Sequence, residues 1–281
     1  PEITDLHMPV AGVAHNLVLV KIRKTYPGQG LKVINSLFGA GQMMFSKFIV
    51  VFSGNVDLRD YEAVTRHIFA NTDINTDLII TRGPLDVLDH SSDSFSFGGK
   101  MGIDASLKLP EETGLRGDRG FKAEALLSVF KTVKNKVRLR MPSADLPLVF
   151  AGISKEIIEF KELLELDYRI TGLILIVVDS TLDLEDDHIL LWQVLSNTDP
   201  SRDLTQLRGN IILNSTSKSH PSDNFTRKWP NIVLSDNETI ARVDTILESI
   251  KQAGNPGSPS AGLMKMDSGH GAFVRTERNG K

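Results

Sequence analysis

The chain has 281 residues, 41% hydrophobic and 24% charged, with a formal net charge of −3. This composition excludes a wholly disordered or collagen-like chain, and the near balance of charge supplies no field for holding nucleic acid or an anionic membrane surface. Cysteine is absent, which excludes disulfides, thiolate metal sites and Cys nucleophiles and fits a cytoplasmic protein. The most membrane-like apolar run, 173–178, falls far short of the ~20 residues a span requires. The opening Pro1-Glu2-Ile3-Thr4-Asp5 has neither a basic start nor an apolar signal core, and reads as the cut end of a longer chain.

Taken in order, residues 17–22 (Leu-Val-Leu-Val-Lys-Ile) read as a strand. Residues 30–45 follow with Leu31, Ile34, Leu37 and Phe38 on one helical stripe. Phe48-Ile49-Val50-Val51-Phe52 is a continuous apolar run, as expected of a strand covered on both faces of a parallel sheet. Asp57 reads as a helix N-cap, with Leu58, Tyr61, Val64 and Ile68 at helical spacing and Asn71 as a left-handed C-cap. Leu78-Ile79-Ile80 returns as a strand. Strand and helix alternating in this way predicts an α/β layer fold, a three-layer sandwich around a mostly parallel sheet.

The pattern then recurs. Shifting the chain by 126 residues superposes 48–83 on 174–209 without a gap, with 11 identities. They include Asp57 on Asp183, Asp60 on Asp186, Asn71-Thr72-Asp73 on Asn197-Thr198-Asp199, Asp77-Leu78 on Asp203-Leu204 and Arg82-Gly83 on Arg208-Gly209. Lys108-Leu109-Pro110 meets Lys228-Trp229-Pro230 at a shift of 120, implying a loss of about six residues. Helices at 122–134 and 238–251 are expected to close the two copies. Matches at polar cap positions, which core packing does not demand, favour duplication over chance. The expected organisation is two tandem related domains: 1–115, then a linker and closing helix at 116–134, then a degenerate second copy at 135–252. A Gly-, Pro- and Ser-rich disordered tail is expected at 253–281. The copies are expected to pack as a pseudo-symmetric pair.

The residues also carry a family resemblance. The stretches Leu19-Val20-Lys21-Ile22-Arg23-Lys24-Thr25-Tyr26-Pro27-Gly28, Ser46-Lys47-Phe48-Ile49-Val50-Val51 and Pro84-Leu85-Asp86-Val87-Leu88-Asp89 are among them. The most specific is Gly98-Gly99-Lys100-Met101-Gly102-Ile103-Asp104-Ala105. Together, residues from His7 to Pro110 resemble the C-terminal domain of UbiD-type decarboxylases, relatives of 4-hydroxy-3-polyprenylbenzoate decarboxylase in quinone biosynthesis. The second copy resembles the family more weakly and lacks the Gly-Gly-Lys motif. The resemblance implies a carboxy-lyase that removes CO2 non-oxidatively from aromatic or unsaturated acids. It implies prenylated FMN and a divalent metal for the full-length family member, both held in a preceding domain. On that reading this chain carries no catalytic residue, no metal ligand and no cofactor of its own. Its partners are the flavin-binding N-terminal domain of the same polypeptide and further copies in a homo-oligomer. Its task is assembly and the wall of a substrate cleft. A non-catalytic oligomerisation or interaction module is the alternative.

Substrate-cleft candidates are Lys24 and Tyr26, which follow a strand end, and Arg82, Leu85 and Leu88, which lie in the family segment expected near the cleft. A surface Lys, a half-buried Tyr and core leucines are the plain alternatives. Gly98, Gly99, Lys100, Met101, Gly102 and Asp104 form the family motif, either bringing backbone close to a ligand or partner or making a tight turn with a solvated Lys and an Asp104 cap. The duplicated aspartates read as caps and turns. Asp89-His90-Ser91-Ser92 invites a hydrolase reading, but sequence neighbours do not make a triad. Glu185-Asp186-Asp187 reads as a solvated first helical turn rather than a cation site. No His pair has zinc-ligand spacing.

Overall fold

The computed structural model describes residues 1–13, 15–115, 123–219, 222–233, 235–249, Leu263 and Met266. The first half runs β1 (Ile3–His7), β2 (Leu17–Ile22), α1 (Gln29–Phe38), β3 (Phe48–Ser53), α2 (Tyr61–Asn71), β4 (Leu78–Pro84) and β5 (Phe97–Ala105). The five strands form one sheet in the order β1-β2-β3-β5-β4. After α3 (Ala123–Val129) the second half runs β6 (Val137–Arg140), β7 (Leu148–Ile153), α4 (Phe160–Leu164), β8 (Ile174–Asp179), α5 (Asp187–Asn197), α6 (Pro200–Asp203), β9 (Leu204–Leu207) and β10 (Asn210–Asn214). Its sheet order is β6-β7-β8-β10-β9, the same topology strand for strand.

Each sheet is mixed, not mostly parallel. The central strands β2, β3 and β5 are parallel, while β1 and β4 pair antiparallel at the edges; β7, β8, β10, β6 and β9 repeat this. The reason lies in the connections. Only the joins that pass through a helix or a long crossover allow parallel neighbours, and the β4–β5 and β9–β10 hairpins force antiparallel ones.

The apolar run at 48–52 is buried on both faces. Val18, Val20, Ile22, Ile49 and Val51 pack against Val33, Ile34 and Leu37 of α1. Leu19, Val50, Phe52 and Ala105, on the other face, pack against Val56, Leu58 and Val64. In the second sheet Val149, Ala151, Ile153, Leu175 and Val177 are covered by Leu126, Val129, Phe130 and Val133 with Ile158, Leu163 and Tyr168. The expected closing helix of the first half therefore covers the second sheet, because its apolar stripe finds a face that the five-residue α4 is too short to fill.

Strand register corrects the alignment of the halves. Val51 stands beside Asp104 and Val177 beside Asn214. The shift is thus 126 on β3 and β8 but 110 on β5 and β10, sixteen residues shorter rather than six. Lys108 falls on Lys218, not on Lys228. The difference lies in the β4–β5 hairpin, whose counterpart between β9 and β10 is only Arg208-Gly209.

Helix ends shift too. The N-cap of α2 is Asp60, whose side chain accepts from Ala63 N, and that of α5 is Asp186, which accepts from His188 N and Ile189 N. Asp57 caps only the turn before, accepting from Arg59 N at 3.0 Å. Asn71 is the last helical residue, and the extended Thr72 that follows rules out a left-handed cap.

The chain divides into two compact units, one of 1–180 with 184–217, the other of 181–183 with 218–281. Both sheets lie in the first. The second holds α7 (Asn237–Ser249), an exposed helix, and an edge-on Phe225–Trp229 pair with centroids 5.3 Å apart. The helix expected to close the second copy thus belongs to the other unit. The tail at 253–281 lies outside the described residues apart from Leu263 and Met266, and so does most of the Gly/Arg-rich stretch at 114–120. Among the described residues no helix is long and apolar enough to cross a membrane.

Candidate functional site

The Gly-Gly-Lys-Met-Gly-Ile-Asp motif is a central strand, not a turn. It forms β5, hydrogen-bonded between β3 and β4. Its glycines answer close approaches. A Cβ at Gly102 would overlap Ile34 Cγ2 of α1, and one at Gly99 would overlap the Asp199 carboxylate and the Ser201 backbone N at the start of α6. At Gly98 a Cβ would lie 2.7 Å from Asp199 Oδ2. The strand needs glycine because another segment lies on it. Asp104 caps the strand's exit, accepting from Ser106 N at 3.0 Å and from Ser106 Oγ; Asn214 does the same for Thr216.

Lys100 is not solvated. It is 1% exposed, and its ammonium donates to Met44 O and Ser46 O, each at 2.6 Å, beneath the Phe38 ring. Burial pulls its pKa down to about 8, against the opposing pull of Asp89. Lys47, at the entrance to β3, is equally buried. Its Nζ lies 2.6 Å from Asp89 Oδ1 and donates to Ser91 Oγ (3.0 Å) and Leu195 O (2.9 Å). Asp89 also accepts from Ser91 Oγ, Ser92 N and Ser92 Oγ. Burial alone would raise the Asp89 pKa; the Lys47 charge and these donors outweigh it and bring it to about 2.

The long β4–β5 hairpin folds over the second half. His90 Nε2 meets Asn197 Oδ1 at 3.1 Å, Ser91 Oγ donates to Thr198 O, and Arg202 donates to Ser91 O and Asp93. The Asp-His-Ser-Ser string is therefore a bridge between halves: its serines bond to Asp89 and its His turns away to Asn197. Gly99 N donates to both Asp199 carboxylate oxygens at 3.1 Å. Phe48 and Met101 complete the contact against Leu195, with Leu191 and Leu204 alongside.

The five cleft candidates sit in different settings. Lys24 is paired, its side chain 3% exposed, with Nζ 2.6 Å from Glu112 Oε2 and 3.0 Å from Ser106 Oγ. Tyr26 is exposed. Arg82 stacks on the Phe97 ring. Leu85 is core at 1% exposure and Leu88 is 79% exposed. Spacing gave no sign of the Lys24–Glu112 or Lys47–Asp89 pairs, since each partner lies tens of residues away. Arg140 pairs with Glu185 and Asp187, so that acidic run is held by an arginine. Among the described residues no group of three or more His, Asp or Glu is arranged to hold a metal ion.

Residues 1–105, the whole first sheet to the last residue of β5, match the family model of the 3-octaprenyl-4-hydroxybenzoate carboxy-lyase C-terminal domain. These residues are thus similar to a UbiD-type C-terminal domain. An uncharacterized Helicobacter pylori protein is 30% identical to this chain over 266 residues, 90% of this chain and 40% of the relative. An uncharacterized Aquifex aeolicus protein is 44% identical over 112 residues, 40% of this chain and 23% of the relative. The chain thus spans well under half the length of the relatives it matches. Among solved structures, the UbiD-class enzyme HmfF from Pelotomaculum thermopropionicum, in complex with FMN, is 25% identical, covering 42% of this chain and 26% of that one, with a TM-score of 0.36. Vanillic acid decarboxylase from Sedimentibacter hydroxybenzoicus in open form is 24% identical, covering 48% and 30%, with a TM-score of 0.38. Within the UbiD-type domain, the family stretches Ser46-Lys47, Leu85 to Asp89 and Gly98 to Asp104 are the ones that build the buried Lys47–Asp89 pair and the Gly98-Gly99 contact.

Proposed function

We propose that this chain is the C-terminal part of a UbiD-like enzyme that decarboxylates aromatic or unsaturated acids non-oxidatively. Its own work is assembly and the support of one wall of the substrate cleft. The match of the entire first sheet to the carboxy-lyase C-terminal domain carries this reading. Prenylated FMN supplies an electron sink for the carbanion that decarboxylation leaves. The residues described here do not suit that cofactor or its metal. They offer no acid or His cluster, and the buried cations Lys47 and Lys100 are committed to Asp89 and to backbone carbonyls. On this reading flavin and metal are held by another part of the polypeptide, so no chemical step is assigned to a residue of this chain.

The same proposal includes two related copies, each layered with helices, about 1–115 and 135–217. Identical strand order in the two sheets and the repeated cap residues support it. A non-catalytic interaction module is the second reading, favoured by a second sheet that keeps the scaffold without the Gly-Gly-Lys strand. Expression of the complete gene and of this chain, side by side, separates the two. The proposal expects flavin absorbance and CO2 release from aryl acids with the complete protein and neither with this chain. Flavin binding or CO2 release by this chain alone overturns it; a complete protein inactive on every such acid, with no flavin bound, supports the module.

A further inference from the structure

The halves meet through equivalent pieces. α5 stands in the second sheet where α2 stands in the first, and it packs on the turn Val10–Gly12. Conversely, Arg66 of α2 reaches Asp145 at 2.6 Å and Ser143 at 3.5 Å. Register along β1–β2 and β6–β7 places Ser143 and Asp145 where Val10 and Gly12 lie in the first half, with Met141-Pro142 on Met8-Pro9. One surface meeting its own equivalent is the mark of a two-fold interface.

One contact has no mate. Asp199 and Asp73 are equivalent and share their local bonds. Each accepts from the backbone N two residues on, Ser201 or Asn75, at 2.9 Å. Each donates its own N to Asp203 Oδ2 (2.8 Å) or Asp77 Oδ2 (2.7 Å). Only Asp199, 2% exposed, also receives Gly99 N. The second sheet has Arg208-Gly209 at the place of Gly98-Gly99. Among the described residues no hydrogen bond joins Asp73 to Arg208 or Gly209, and its side chain and backbone N stay with Asn75 and Asp77.

We propose that α5 and α6 occupy, in cis, the surface on which a second copy of the UbiD-type domain would dock, with Asp199 in the place that Asp73 of that copy would take on Gly99. The apolar side of this surface is Phe48 and Met101, covered here by Leu191, Leu195 and Leu204. The inference rests on the two sheets being related copies and is independent of the decarboxylase reading, since its readout is mass and not CO2.

The test is a protease site inserted between Leu115 and Ala123 of the full chain, with light scattering after cleavage. The nicked wild-type chain is expected to stay together, as is Asp73→Ala. Nicked Asp199→Ala is expected to part, its first half running as a dimer, and nicked Asp73→Ala/Asp199→Ala is expected to part with its first half at half that mass. The inference is overturned if the wild-type halves separate, if Asp73→Ala and Asp199→Ala behave alike, as two turn caps would, or if the first half has the same mass from the single and the double variant. The uncleaved variants, compared by circular dichroism, report that each began folded.

Discussion

Replacing Lys47 with Met is the sharpest perturbation of this fold. The side chains of Lys47 and Asp89 are each 1% exposed, with 2.6 Å between Nζ and Oδ1. Methionine fills similar volume but leaves the Asp89 carboxylate buried without the ammonium that faces it, and leaves Leu195 O without the same donor. Breaking one side of a buried pair costs about 3–5 kcal/mol, a large part of the ~5–15 kcal/mol that keeps a domain folded. Lys47→Met/Asp89→Asn removes both charges and is expected to recover most of that loss. The pair also has a signature in pH. The folded Asp89 pKa, about 2, lies below its usual 3.8, so the unfolded chain takes up the proton first as pH falls. The stabilisation is complete above 3.8 and is lost as pH falls through about 2, amounting to about 2 kcal/mol. Urea titrations of the three proteins at pH 7, and of the wild type and the double variant across pH 5 to 2, measure both effects. A Lys47→Met loss under about 1 kcal/mol, or a double variant no more stable than the single one, refutes the pairing argument.

Other expectations follow from single sites. His67 lies against the Phe52 ring with Nε2 unpartnered among the described residues, and burial lowers its pKa. The unfolded chain then binds the proton first, so the melting temperature should fall as pH drops below about 6.5, and His67→Leu should flatten that slope. Burial of Lys100 works in the same sense at high pH: stability should rise with pH between about 8 and 10.5, and Lys100→Met should remove the rise in denaturant midpoint. Gly102→Ala pushes a methyl into Ile34, itself fully buried, and overpacking of this kind costs about 1–3 kcal/mol. Ile34→Ala removes the clashing Cγ2, so the double variant should lose less than the sum of the two single losses; losses that simply add would show that the strand, and not the contact with α1, is what suffers.

The periodic elements were legible because local chemistry decides them. The run at 48–52 can only be satisfied inside a sheet, and the helix start reads one turn early, at Asp57, because Asp60 and Asp186 have the same capping chemistry. The likeness of the two halves was legible for the same reason, since matching aspartates cap a helix in each. The surroundings of a candidate such as Lys24 were not legible, because its partner is remote: it reads as a surface residue until Glu112 arrives beside it. Gly98-Gly99-Lys100 carries residue types that suit a turn as well as a strand, and only packing against α1 and α6 makes it a strand with its lysine inside. The sixteen-residue shortening was read as about six because Lys-x-Pro matches can slide, whereas hydrogen-bond register cannot. What the amino-acid order determined by itself is thus the buried strand at 48–52, the helices near 61–71 and 187–197, and the likeness between the two halves. Tertiary structure decided which faces meet and which charges are buried together, because those energies depend on residues that approach only after the chain has closed on itself.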